Sequence, residues 1–402
     1  MNPEAVKALQ GLRVVECATL VAGPFIGRIL ADFGAEVIHV EHPTQGDHIR
    51  KFGVSINDLN PSWKHYGRNK KCITLDISKE KGRSLLFRLL KDADIFIENF
   101  RPGRLEEWNI HYQDLAAMNP RLIMVRVTGF GQTGPYRERP GFGTLIEAMS
   151  GFAAMMGEPT GPPTLPPFPL ADSIAALYGL YAAMFAVYHR DIAGSGKGQV
   201  IDVSIWEGLY SILGANAVIY GLTGEVPQRI GNRAFTSAPR NCYRTKDGRW
   251  IAISVSTQTI AVRFFEAMGQ PDLIRDPRFN SNENRIKNVN PLDEIVGTWM
   301  GNHTLEEILN LLHEKEVPAG PVLDISDISK DSHAREREMV IQIPDEEKGT
   351  LLMEGVFPKM SRTPGEARHA GKKQGADNRE IFEERLGLSR EEVAELSRGK
   401  II

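Results

Sequence analysis

Leu12-Arg-Val-Val-Glu-Cys17, then Pro24-Phe-Ile-Gly-Arg-Ile-Leu-Ala-Asp-Phe33, then Ala35-Glu-Val-Ile-His-Val-Glu41 follow one another near the start of the chain, and their order decides the fold. The first is a short apolar run suited to a buried strand. The second reads as a helix, with Pro24 at an early position where a missing N–H does no harm and Gly34 at its end. The third is again a strand. The alternation repeats: Cys72–Leu75 extended, Lys79–Leu90 helical, Asp94–Glu98 extended, the end of a short helix at Leu115–Met118, and Leu122–Thr128 extended. Strands interleaved with helices predict an α/β fold with a mostly parallel sheet covered on both faces.

Helical patterns then take over. Gly143–Met156 and Ser173–Arg190 are apolar enough to be core helices, and the segment between them, Gly157–Pro169, holds six prolines. That segment must be a loop, and it delivers the chain rigidly to Asp172. Val200–Val203 reads as a strand and Ile205–Tyr220 as a helix. A different texture begins near Glu225. Asn241–Thr245 and Trp250–Val255 alternate around Lys246-Asp-Gly-Arg249, a hairpin signal. Helices are expected at Gln258–Met268, Pro291–Met300 and Thr304–Lys315, the last opened by a Thr304/Glu307 capping box. The predicted organisation is a large α/β domain over 1–224, a small domain over 225–325, and a return segment over 326–402 that completes the large one.

At 402 residues the chain is too long for one ordinary core. A net charge of −3 argues against nucleic-acid binding, which usually needs a basic excess. Met1–Gln10 is mixed polar with no signal-peptide core, and no uninterrupted run of about 18 apolar residues predicts a spanning helix. Cys17, Cys72 and Cys242 have no metal-like spacing and suit a reducing compartment. The expectation is a cytoplasmic protein with no nucleic-acid or membrane partner.

Several motifs invite a function. Gly129-Phe-Gly-Gln-Thr-Gly134 fits the dinucleotide pattern and follows a strand, but Pro135 and Pro140 prevent the helix that pattern requires, so a loop is predicted. His39, His42 and His48 cluster in sequence without a metal-ligand pattern and read as solvated loop residues; no metal is expected. Ser204 lacks the glycines of a nucleophile elbow. Asp172 stands between the proline-rich loop and an apolar helix. Its ordinary role there is a helix N-cap. The same place suits a nucleophile, because a helix N-terminus favours an ionised carboxylate by about 0.3–1 kcal/mol and the carboxylate could then attack a thioester.

The chain resembles the class III CoA-transferases, the group that includes formyl-CoA transferase, carnitine CoA-transferase and 2-methylacyl-CoA racemase. The resemblance is carried by the opening segments above, by Gly46-Asp47, Asn69-Lys-Lys with Thr74-Leu-Asp, Ile97-Glu-Asn-Phe-Arg-Pro-Gly103, Gly129–Tyr136, Ala171-Asp172, Gly196-x-Gly-Gln199 and Val203. It implies a Rossmann-like parallel sheet, a smaller α+β domain, and an interlocked, ring-like dimer, a homodimer or possibly a hetero-oligomer. It implies Asp172 as the nucleophile that carries the acyl group through mixed anhydrides and an aspartyl-CoA thioester. Coenzyme A and acyl-CoA are then substrates beside a small carboxylic acid, with no tightly bound cofactor and with succinyl-CoA as a possible donor. By position, the coenzyme A pocket takes in Leu20, Val21, Ala22, His42, Leu75, Asn99, Phe100 and Arg101. Basic groups for the phosphates are sought in Arg104, Arg137 and Arg139. The chain departs from the family pattern at Glu107, often arginine, and at Gly143, often Asp or Tyr; Gly231-Asn232 is the nearest match to a glycine-rich gating loop. Two other functions are weighed. A racemase needs a base on each face of the carbon, and Phe142 stands where those relatives place a histidine. A non-catalytic partner subunit would not need Asp172.

Overall fold

Six strands, β1 (Arg13–Cys17), β2 (Glu36–Glu41), β3 (Lys71–Thr74), β4 (Ile95–Glu98), β5 (Ile123–Thr128) and β6 (Val200–Ser204), pair in parallel in the order β3-β2-β1-β4-β5-β6. Strand periodicity sends alternate residues to opposite faces. Val15, Ile38 and Phe96, neighbours in register, join one core cluster; Val14, Ile95 and Ile97 join the other. With both faces buried, β4 is apolar up to Glu98 and β5 is apolar apart from Arg126 and Thr128, without a polar alternation. The computed structural model describes residues 6–402; residues 1–5, half of the polar N-terminal stretch, lie outside the described residues.

Helices α1 (Ala22–Asp32), α2 (Pro61–Tyr66), α3 (Glu80–Leu90), α4 (Arg104–Glu107) and α5 (Tyr112–Met118) link the first five strands. Gly34 takes φ +101° where the chain leaves α1 for β2. The predicted helix over Gly143–Met156 is two helices, α6 (Gly143–Met149) and α7 (Phe152–Met155), broken at Gly151 with φ +93°. Its outer face is not core, since Leu145, Met149 and Met156 are exposed. Helix α8 (Leu170–Asp191) covers the sheet with a face of small residues, among them Ala175, Ala176, Gly179, Ala183 and Ala186. The helix predicted over Ile205–Tyr220 is likewise interrupted: α9 (Ile205–Ser211) and α10 (Asn216–Thr223) flank Gly214, whose φ is +75°.

By length and composition alone α8 could cross a membrane, a property that core helices share, and one face of α8 is packed in the core on the sheet. One of the sequence expectations needs correction here. His39 is not a solvated loop residue. It lies on β2, fully buried, with Nδ1 2.6 Å from Glu16 Oε1. Lys70 donates to both Glu16 oxygens, at 2.7 and 2.9 Å, which gives this buried carboxylate its counter-charge. His42 is half-exposed and His48 exposed. Among the described residues no cluster of three or more His, Cys, Asp or Glu could hold a metal ion.

The sheet belongs to a first unit that runs to Phe152 and takes in Leu165–Val218 and Ser332–Ile402. A second unit comprises Ala153–Thr164 and Ile219–Asp331. It therefore includes a stretch of the proline-rich loop that falls inside the expected 1–224 domain. Within it, β7 (Arg240–Arg244), β8 (Trp250–Ser254) and β9 (Ala319–Pro321) form an antiparallel sheet against a core of Phe264, Phe265, Phe279 and Trp299. Thr304 and Glu307 make the reciprocal capping box.

Candidate active site

Strand order reverses at β1, which pairs with β2 on one side and β4 on the other. The loops leaving β1 and β4 diverge there and open a crevice at the carboxyl ends of the strands, the usual ligand position in such sheets. The turn after β1 is built under strain. Leu20 has φ +64°, a left-handed conformation that costs a non-glycine residue about 1–2 kcal/mol. Side chains from two other loops hold it. Asn99, just past β4, accepts from the Thr19 N–H at 2.9 Å and donates to the Thr19 carbonyl at 2.7 Å. Asp47 accepts from the Leu20 N–H at 3.0 Å.

These loops wall a narrow slot of about 110 Å³ with Asp172 in its lining. Leu20, Val21, Ala22, Asn99, Phe100 and Arg101 line it, as do Arg137, Arg139 and Phe142. Gly129 and Gly141 let two of the wall loops touch: a Cβ on Gly129 would lie 2.9 Å from the Gly141 Cα. Gly129–Gly134 is a loop, and Tyr136 stacks on Trp206 beside it with rings 5.9 Å apart, so no helix N-terminus faces a pyrophosphate there. His42 and Leu75 line an adjoining hollow of about 330 Å³ that shares Thr19 and Phe100 with the slot. Arg104 lines neither hollow. It is ion-paired at 2.6 Å with Glu107 on the exposed face of α4. The slot's guanidinium groups are thus those of Arg101, Arg137 and Arg139.

A larger hollow of about 720 Å³ shares no lining residue with the slot. Its Lys64 is already bound to Asp345 at 2.6 Å and Glu347 at 2.7 Å, and its His65 lies 3.0 Å from Glu354. Size alone therefore does not mark the site; the slot holds the Asp172 carboxylate beside Arg101, Arg137 and Arg139, of which Arg137 is paired with the exposed Glu138 at 3.0 Å.

Asp172 does not cap its helix. Helix α8 begins at Leu170 after Pro169, so Asp172 is the third residue of the first turn. The capping contact comes from Glu147 on α6, whose Oε1 accepts from the Ala171 N–H at 3.2 Å. The sequence argument for a readily ionised Asp172 also needs correction. Burial, reinforced by the negative charge of Glu147, pushes its pKa up to about 6, against the pull of its own backbone N–H. Loss of water around the carboxyl outweighs the helix dipole here. Gly143 packs directly on the carboxyl: a Cβ there would sit 2.0 Å from Asp172 Oδ2. The side chains that the family pattern often has at this position would displace it.

The family model described as CoA-transferase family III matches residues 9–378. The chain belongs to this family. It is 41% identical over 397 residues to the succinyl-CoA–D-citramalate CoA-transferase of Chloroflexus aurantiacus, covering 98% of each chain. It is 38% identical to the alpha subunit of succinyl-CoA–L-malate CoA-transferase from the same organism, covering 98% of this chain and 92% of that one. A crystal structure of a CAIB/BAIF family protein from Brucella suis superposes with a TM-score of 0.84 at 31% identity, covering 94% of this chain and 99% of the other. This CoA-transferase is therefore an enzyme whose substrates are a coenzyme A thioester and a carboxylic acid.

Sequence reasoning on this CoA-transferase gave no structural role to Glu147 or Asp47, which lie outside the slot lining and hydrogen-bond the segments that form it. Glu147 had a signal, the lone charge in the apolar helix GTLIEAM. For Asp47 nothing in local sequence connects it to a turn 27 residues away.

Proposed function

We propose that this CoA-transferase moves coenzyme A from succinyl-CoA to a small hydroxylated dicarboxylic acid of the malate and citramalate kind, with Asp172 as the acyl carrier. The observation that carries the reading is a half-buried carboxylate in a narrow slot at the strand-order reversal, beside three arginines. The citramalate and malate enzymes among its relatives support the choice of acids.

The Asp172 carboxylate attacks the thioester carbonyl, and the tetrahedral adduct expels coenzyme A thiolate to leave a mixed anhydride. The thiolate attacks the aspartyl carbonyl of that anhydride, forming an aspartyl-CoA thioester and freeing the donor acid. The acceptor carboxylate attacks this thioester, giving a second anhydride and thiolate. Attack of the thiolate on the acceptor's carbonyl yields the product thioester and restores Asp172. No step consumes water, and a slot with little room around the carboxyl keeps water away from the anhydrides. The apolar side chain of Phe142 in the slot lining cannot take a proton, which favours transfer over racemisation.

The active form is proposed to be a homodimer. Leu177, Tyr181, Phe185, Tyr188 and Ile192 recur at three- and four-residue spacing along and just past α8, all exposed, Phe185 by 66% and Ile192 by 69%. Such a stripe wants a cover, and a second copy of the chain is the proposed one; a homologous subunit, as the alpha-subunit relative suggests, is the other outcome. Free thiols at Cys17, Cys72 and Cys242 suit a reducing, cytoplasmic setting.

A panel of acyl-CoA donors and acids, followed by mass spectrometry, tests the assignment. Exchange from succinyl-CoA to malate or citramalate should exceed that to monocarboxylic acids. Equal or better exchange to monocarboxylic acids would refute the choice of acceptor.

A further inference from the structure

We propose that Asp47 is a positioning residue for the transfer reaction, holding the turn Thr19–Val21 in the strained form that makes one wall of the Asp172 slot. This rests on the reading of that slot as the site of transfer. Asp47 is fully buried, and one oxygen, Oδ1, accepts both the Leu20 N–H at 3.0 Å and the Ile49 N–H at 2.9 Å. The Ile49 bond alone is an ordinary cap on the single 3₁₀ turn His48–Lys51. A cap would not need burial, and it does not account for a bond to a turn on another strand. The second oxygen, Oδ2, has no hydrogen-bond partner and stands 3.5 Å from the equally unpartnered Nε2 of buried His39. That contact is electrostatic and too long for a hydrogen bond, so the side-chain hydrogen bonds of Asp47 all run through Oδ1.

Asp47 is itself fixed. Its N–H donates to Glu41 Oε2 at 2.9 Å, and Glu41, at the end of β2, takes two bonds from Arg50, each at 2.6 Å. The clamp from Asn99 fixes Thr19 but leaves the φ of Leu20 unspecified. Without an acceptor for its N–H, Leu20 relaxes toward the negative φ that its side chain prefers, and Leu20, Val21 and Ala22 turn away from the slot they line.

Asp47→Asn keeps the accepting oxygen, whereas Asp47→Ala removes it. Glycine at position 20 adopts positive φ unaided, so Leu20→Gly should compensate for Asp47→Ala. In the full-length enzyme, with kcat and KM expressed per folded enzyme and coenzyme A affinity measured by calorimetry, Asp47→Ala should lower kcat/KM about tenfold or more, as misplaced site walls do. Asp47→Asn should retain most of it, and Asp47→Ala/Leu20→Gly should recover much of the loss. A folded Asp47→Ala enzyme with wild-type kcat/KM and coenzyme A affinity would overturn the proposal. So would an Asp47→Asn enzyme as impaired as Asp47→Ala together with no recovery in the double variant. If Asp47→Ala fails to fold, Asp47→Asn is compared with wild type directly: it should keep most of the kcat/KM and coenzyme A affinity, and a folded Asp47→Asn enzyme impaired about tenfold or more would overturn the proposal. Coenzyme A affinity does not depend on acyl transfer, so an active Asp172→Ala enzyme would sink the Asp172 reading and leave the Asp47 comparison standing.

Discussion

Asp172 and Glu147 are two carboxyl groups with different tasks. Glu147 accepts the Ala171 N–H and seats the start of α8; Asp172 points into the slot with its pKa pushed up to about 6. An aspartate raised to that value is still about nine-tenths ionised at pH 7 and mostly protonated by pH 5. Only the ionised form attacks, so kcat/KM should fall as pH drops through about 6. Glu147→Gln keeps an oxygen for the Ala171 N–H and removes the like charge, so the acid limb should move to lower pH. A pH–rate profile of the two enzymes checks this; an unmoved or raised limb would contradict the role given to Glu147.

At the scale of elements, the alternation of strand and helix through Leu122–Thr128 was legible because hydrophobic period and glycine punctuation agree there. The strand order was not, since parallel neighbours are chosen by packing of helices that are distant in sequence. Helix ends misled where glycine intervened: Gly151 and Gly214 break helices whose apolar content reads as continuous. Asp172 reads as a cap in sequence because the prolines before it extend the loop to Ala171, whereas Leu170 already lies in the helix. Asp172 stands out by its place between the proline-rich loop and an apolar helix, whereas the loops proposed to surround it were legible only through the resemblance. Asn99 and Leu20 look like ordinary turn residues until Asn99 is seen holding the strained loop. Helix α8 also makes a prediction of its own. A Cβ on Gly179 would lie 2.5 Å from Ile26 Cδ1 and 3.6 Å from Val125 Cγ1. Replacing glycine inside a helix gains about 1 kcal/mol of propensity, and a lone methyl can be met by rotation of Ile26. A branched side chain cannot, so Gly179→Val should lower unfolding free energy by about 1–3 kcal/mol. Urea denaturation measures it; unchanged stability would mean that α8 rides further from the sheet.

For the whole molecule, the exposed apolar stripe on α8 calls for a cover. If a second copy supplies it, Phe185→Glu places a charge in the contact and should shift the protein from dimer to monomer in sedimentation at micromolar concentration. A wild-type chain that sediments as a monomer would contradict the dimer, and a mixed species with a homologous subunit would favour the hetero-oligomer instead.

The central claim is that coenzyme A becomes attached, for part of each turnover, to the protein itself. Hydroxylamine added during turnover with succinyl-CoA intercepts an aspartyl thioester and leaves a hydroxamate on the residue that carried it. Peptide mass spectrometry should find that mark on Asp172 and on no other carboxylate, and Asp172→Ala should abolish both mark and exchange. An enzyme that exchanges coenzyme A at full rate with Asp172 unmarked, or with alanine in its place, would contradict the account.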